Sequence, residues 1–199
     1  YVRMSTAEQI GKIQAEKLVG KLALASASTD NPKAIEVMLP YDAAAADGTG
    51  SGASGDAADG TASEDSAAFA KEAFKGIWSV LQPYFKAGKA VCPSASLTAS
   101  TTEDDWQDVA FASGKTDSVR NELKGRLGMK SGSDQHTRID GIIALNDYTA
   151  LDVVKTLDEL TYTGSAADIN PSITISGIVG NITGKKDLQR KAVPDPIKS

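Results

Sequence analysis

The chain has 199 residues, 41% of them hydrophobic, a formal charge of −5 and a pI near 4.9. That length and composition suit one ordinary domain with a buried core. The acidic balance argues against nucleic acid as a partner and against an anionic membrane surface, and no apolar run approaches the ~20 residues of a spanning helix.

The opening YVRMSTAEQ lacks the basic and apolar regions of a signal peptide and reads as the middle of a longer chain. Residues 6–22 then follow the helical period through Ile10, Ile13, Lys17, Val19 and Leu22, with Ser5 or Thr6 as cap. The apolar, β-branched run 34–39, bounded by Asn31-Pro32 and Pro40, predicts a buried strand. Residues 43–63 hold only Ala, Gly, Ser, Asp, Thr and no large apolar side chain. Such a segment buries too little surface to offset its chain entropy, which predicts a flexible low-complexity insertion.

A strong amphipathic helix follows, with Phe69, Ala73, Ile77, Val80 and Leu81 on one face and Glu64 and Asp65 favouring its start. Pro83 is expected to kink or restart it and Gly88 to end it. Trp78 belongs to this helix and reads as structural. A short strand is predicted at 89–92, a polar loop at 94–105, and an irregular helical region over 106–127 ending with Val119, Leu123 and Leu127. Residues 140–145, DGIIAL, are the clearest buried strand. Asn146-Asp147 opens a helix with Leu151, Val154, Leu157 and Leu160 inward. Residues 172–176 read as the last strand and 177–199 as a tail with a helical turn at 185–191.

Strands alternating with helices predict an α/β fold, a three-layer α/β/α sandwich around a doubly wound parallel sheet. Ligands of such sheets sit beyond the carboxyl ends of the strands. That rule nominates Tyr41 and Asp42, residues 93–96, Asn146 and Asp147, and residues 177–180. Trp106 is a further candidate, an aromatic able to swing into the crevice. One cysteine, Cys92, excludes an internal disulfide, and one histidine, His136, leaves little for metal sites or nucleophilic dyads. No GxSxG elbow is present, and the glycines of GTGSGASG (48–55), although Gly50, Gly52 and Gly55 have GxGxxG spacing, lie in the low-complexity insertion without a strand–helix context or a Lys-Ser/Thr ending, so an enzyme is not expected, nor any cofactor or metal.

Four stretches carry a family resemblance: IGKIQAEKLVGKL, FKGIWSVLQPYFKAGKAVCPS, DGIIALNDYTALDVVKTLDEL and SITISGI. Together they resemble the type I periplasmic binding proteins, above all the xylose- and multiple-sugar-binding members, and match their C-terminal lobe. The resemblance implies a single C-terminal-type lobe over 1–199, with the family's first lobe lacking a counterpart. It implies a solute-binding component of an ABC importer with a sugar ligand, a transporter permease and the missing N-terminal lobe as partners. The implied location is extracytoplasmic, as a lipoprotein or a periplasmic protein. The alternative is a sensory domain of the LacI type, whose DNA-binding helix-turn-helix is not seen here. Matched residue by residue, the family's sugar contacts fall on Thr6, Gly114 and Val179, which cannot replace a carboxylate or a stacking ring, and on Asn146, which is kept. The familiar sugar site therefore reads as eroded.

Overall fold

The computed structural model describes residues 5–42, 61–127, 137–159, 174–176 and 181–183. The strands are β1 (Lys33–Val37), β2 (Leu39–Tyr41), β3 (Ala90–Val91), β4 (Ala110–Ala112), β5 (Gly141–Ile143), β6 (Thr174–Ser176) and β7 (Asn181–Thr183). The helices are α1 (Ala7–Leu22), α2 (Thr61–Lys86), α3 (Ser118–Arg126) and α4 (Asp147–Glu159). The main sheet runs β3-β1-β5-β6-β7, with β7 antiparallel to β6 and the other neighbours parallel. The four predicted parallel strands are all present.

Strand alternation sends successive side chains to opposite faces. Ile35 and Val37 of β1, with Ile143 and Leu145, pack against α1 and α2. Met38, Ile142 and Ala144 pack with α3 and α4 through Val119, Leu123, Val153 and Leu157. Two apolar clusters on two faces make the three-layer α/β/α sandwich that the alternation of elements predicts.

The α1–α2 contact is closer than side chains allow. A Cβ on Gly11 would lie 2.0 Å from the Ala73 carbonyl oxygen, and one on Gly76 would lie 1.9 Å from that of Glu8. Two glycines thus let two backbones touch, which corrects the predicted helix faces. In α1 the buried residues are Gly11, Gln14, Ala15, Leu18 and Leu22, while Ile13 is 46% exposed. In α2 the buried face is Ala70, Ala73, Phe74, Ile77, Trp78, Leu81 and Phe85, with Phe69 on the outside. A period read from large apolar residues misses a face built on small ones. In α4 the same shift puts Ala150, Val153 and Leu157 inward and leaves Leu151 half-buried.

Helix ends follow local chemistry. Thr6 caps α1 in a capping box with Gln9, each side chain bonding the other's backbone N–H. Helix α2 continues through Pro83 instead of restarting there. Pro83 sits in the final turn, where a missing N–H removes one ladder bond at most. Gly88, at φ 68°, then ends the helix as expected: Lys89 N–H bonds Tyr84 O at 2.9 Å and Gly88 N–H bonds Phe85 O at 3.1 Å. Trp78 is structural, 1% exposed, stacked on Phe74 and donating to Thr101 O at 2.9 Å.

Two strands are additions to the predicted set. Strand β4 lies inside the region read as helical, and β7 inside the region read as tail. The predicted strand 34–39 is divided at Met38, where the chain exchanges partners. Met38 N–H still bonds Ile143 O at 2.8 Å, whereas Leu39 N–H bonds Val109 O at 3.1 Å, and β2 then pairs with β4. Helix α2 begins at Thr61, so residues 61–63 belong to it, and 43–60 of the predicted insertion lie outside the described residues. Leu160, His136 and residues 185–191 also lie outside them.

Candidate ligand site

In the strand order of the main sheet, β1 has β3 on one side and β5 on the other. The crevice at such a switch point, beyond the carboxyl ends, is where doubly wound sheets bind ligands. A buried polar cluster fixes the backbone beneath it. Glu36 of β1 is fully buried and 3.6 Å from Arg126 of α3. Arg126 donates to Val37 O at 2.6 Å and to Val109 O at 2.9 Å, and its Nε bonds Glu122 at 2.8 Å. One guanidinium thereby holds the end of β1 and the start of β4 together. Glu36 also accepts from Ser94 N–H at 2.8 Å and from Ser94 Oγ at 3.1 Å, tying down the 93–96 loop.

The β5–α4 junction is strained in a defined way. Leu145 has φ 45°, a left-handed conformation disfavoured for a side chain branched at Cγ, and it is buried. Its carbonyl accepts from Gln14 Nε2 of α1 at 2.8 Å, and Asn146 N–H turns back to Ala144 O. Asn146 then starts α4: its Oδ1 accepts Thr149 N–H at 2.9 Å and its carbonyl accepts Ala150 N–H at 3.0 Å. Asn146 is the N-cap, and Asp147 is the first helical residue. The cap uses only the oxygen end of the amide. The Nδ2 donors make no hydrogen bond with the described residues.

Above this junction lies a cleft of about 500 Å³ between the β4–α3 loop and α4. Pro40 of β2, Ser113, Lys115 and Asp117 line one side, and Asn146, Tyr148 and Thr149 the other. An Arg120–Glu159 ion pair at 2.6 Å joins α3 to α4 along it. Asp117 precedes α3 at φ 66° and does not cap it with its side chain. Tyr148 is 84% exposed.

Of Tyr41, Asp42, Trp106, Asn146 and Asp147, all nominated from sequence, Asn146 lines this cleft. Tyr41 and Asp42 lie beside it: Ser113 N–H and Oγ both bond Tyr41 O, at 2.9 and 3.1 Å, and Asp42 N–H bonds Ser66 Oγ at 2.9 Å. Trp106 packs edge-on to Tyr41, with ring centroids 6.2 Å apart, and so joins the α1–α2 side core. Asp147 is not among the cleft residues. Lys115, Asp117 and Tyr148 were not nominated from sequence, and residue type alone does not single them out. Residues 177–180, including Val179, lie outside the described residues.

Cys92 is half-buried, with Sγ 3.3 Å from Ser94 Oγ. Burial, then the neighbouring Glu36 charge, pushes its thiol up to about 11. A thiol held protonated at neutral pH is a poor nucleophile. Among the described residues no group of His, Cys, Asp and Glu side chains would hold a metal ion, and no helix is long and apolar enough to cross a membrane.

No protein-family model matches the chain, and no curated protein does. Among solved structures, it is similar to an ABC transporter solute-binding protein from Clostridium phytofermentans with bound β-D-glucose. The TM-score is 0.54 at 19% sequence identity, over 86% of this chain. The match covers 40% of that protein's length, so this chain spans less than half of it. At that identity the likeness establishes the fold alone, an α/β domain similar to part of that protein. The sugar and the transporter belong to the neighbour.

Proposed function

We propose that the chain is the C-terminal-type ligand-binding lobe of a solute-binding protein of the sugar class. It would serve an ABC importer outside the cytoplasm, as a lipoprotein or periplasmic protein, together with a second lobe and a membrane permease. The observation that carries this is Asn146. One end of its amide starts α4, and the other is left for a ligand in a polar cleft at the carboxyl edge of a doubly wound sheet.

The positions matched to the family's other sugar contacts support an altered site. Thr6 is committed to capping α1, and Gly114 has no side chain, its Cα neighbourhood facing Asp42. Recognition here rests on Asn146 and on residues of the cleft.

Glucose titration of the isotopically labelled chain, followed by backbone amide shifts, tests the reading. One lobe leaves a ligand half solvated, so a dissociation constant above ~1 mM is expected, equivalent to about 4 kcal/mol. The shifted amides should cluster at 113–120 and 146–149. Shifts confined to α1 and α2, or to the amino edge of the sheet, would reject this site.

A further inference from the structure

We infer that the cleft recognises a hydroxylated ring through a relocated set of contacts, with Tyr148 as the stacking platform and Asp117 as the carboxylate. This rests on the ligand-binding reading of the cleft and adds the ligand's shape and the residues that select it.

A ring with hydroxyls around its edge and C–H bonds on its faces needs three things from a protein. These are an acceptor for hydroxyl protons, a donor for hydroxyl oxygens, and an aromatic face for the C–H surface. Asn146 supplies the donor through Nδ2. The residues matched to the family's carboxylate and aromatic positions supply neither of the others.

Tyr148 stands two residues beyond Asn146, lines the cleft, and is 84% exposed. It makes no hydrogen bond or ring contact with the described residues, unlike Tyr41, Trp78 and Trp106, whose rings all pack on other rings. Nothing in the packing of the described fold requires an aromatic ring there. Asp117, at the start of α3, lines the same cleft as Asn146. An aspartate at a helix start ordinarily accepts an N–H of the first turn. At φ 66° Asp117 does not, and its carboxylate makes no ion pair with the described residues. Backbone strain is retained where surrounding structure enforces it, and such positions gather at binding sites. Here Asp117 in the cleft lining has positive φ, as does the buried Leu145 that precedes the cleft residue Asn146.

Two of the three cations of the cleft are held by other carboxylates, and the third, Lys115, makes no ion pair with the described residues. Arg120 is paired with Glu159, and Lys155 with Asp152 at 3.1 Å. The lining carries Lys115, Arg120 and Lys155 against Asp117, Asp152 and Glu159, a balance that suits an uncharged ligand.

The test compares glucose, a ring, with sorbitol, an open chain of the same carbon number, by amide shifts at about 100 mM, well above a millimolar dissociation constant. Wild type, Tyr148→Phe, Tyr148→Ala and Asp117→Asn are each titrated. Tyr148 and Asp117 are on the surface, so the folded spectrum should persist in every variant. Glucose should bind more tightly than sorbitol, and Tyr148→Phe should keep that preference. Tyr148→Ala should weaken glucose by about 3-fold to 10-fold, the worth of a ring contact, and leave sorbitol unchanged. Asp117→Asn should weaken glucose by about 5-fold, through loss of the charge-assisted bond. Equal binding of glucose and sorbitol, unaffected by Tyr148→Ala, would overturn this inference and leave a polyol-binding cleft. Absence of any response at 113–120 and 146–149 to either probe would overturn the ligand-binding reading itself and this inference with it.

Discussion

The two faces of the sheet are built by opposite means. On the α1–α2 face, two glycines bring backbones into contact, and the cluster beneath is aliphatic and aromatic. Gln14 is the polar side chain buried from α1, and it is spent on the carbonyl of Leu145. On the α3–α4 face the apolar cluster is smaller, a buried Glu36–Arg126 pair crosses it, and both helices start at residues next to or in left-handed backbone. The first face follows rules that maximise close packing. The second departs from them where the cleft opens, as expected where binding rather than stability decides the residue.

Breaking the polar cluster is expected to have the largest effect on stability. Arg126→Met leaves Glu36 buried and unpaired, which should cost about 3–5 kcal/mol by urea denaturation. Adding Glu36→Gln removes the stranded charge and should recover a large part of the loss. A loss below about 1 kcal/mol for Arg126→Met would mean that the pair is hydrated and the second face less dry than described.

The glycine crossing comes next. Gly76→Ala drives a Cβ into the Glu8 backbone, so the helices must part, and a loss of about 3 kcal/mol is expected. Gly20 of α1 meets nothing within 4 Å, and Gly20→Ala should instead stabilise by about 0.5–1 kcal/mol. Equal effects of the two substitutions would show that close approach does not set the first face.

Asn146 separates the two roles of one side chain. Asn146→Ala loses the cap of α4 and should cost about 1 kcal/mol. Asn146→Asp keeps an oxygen for Thr149 N–H but removes the Nδ2 donors. Its thermal midpoint should match wild type while glucose-induced amide shifts fall away. The smallest effect expected is at Cys92. Its folded thiol lies near 11, above the ordinary 9.0, so its contribution to stability is complete below about pH 9 and lost as pH rises through 11. Thiol alkylation at neutral pH should accordingly be slow in the native protein and fast in urea.

Much of the fold was legible because strands β1, β5 and β6 are short β-branched or apolar runs and α1, α2 and α4 are periodic. Strand β4, Ala-Phe-Ala, has no such signature; it exists because β2 turns away from β5 at Met38 and needs a partner, which is a tertiary cause. The face of α1 was misread because Gly11, which carries no weight in a hydropathy pattern, lies at the centre of the contact; in α2 Ala73, Ile77 and Leu81 are buried as expected, while Phe69 is not. In the candidate cleft, the place of Asn146 could be read from its position after a buried strand. Asp117 and Tyr148 could not, since their interest lies in an uncapped left-handed turn and in exposure, and neither is written in residue type.

The central claim is that this chain offers half of a ligand site, held by Asn146 and lacking the familiar sugar contacts. Calorimetry against xylose, glucose, galactose and arabinose tests it most directly. Dissociation constants above ~1 mM are expected for all four, because Asn146 and its neighbours act on a ligand still open to water. Micromolar binding of any of them, abolished by Asn146→Ala, would contradict the account: the lobe would then enclose its ligand unaided, with a complete sugar site.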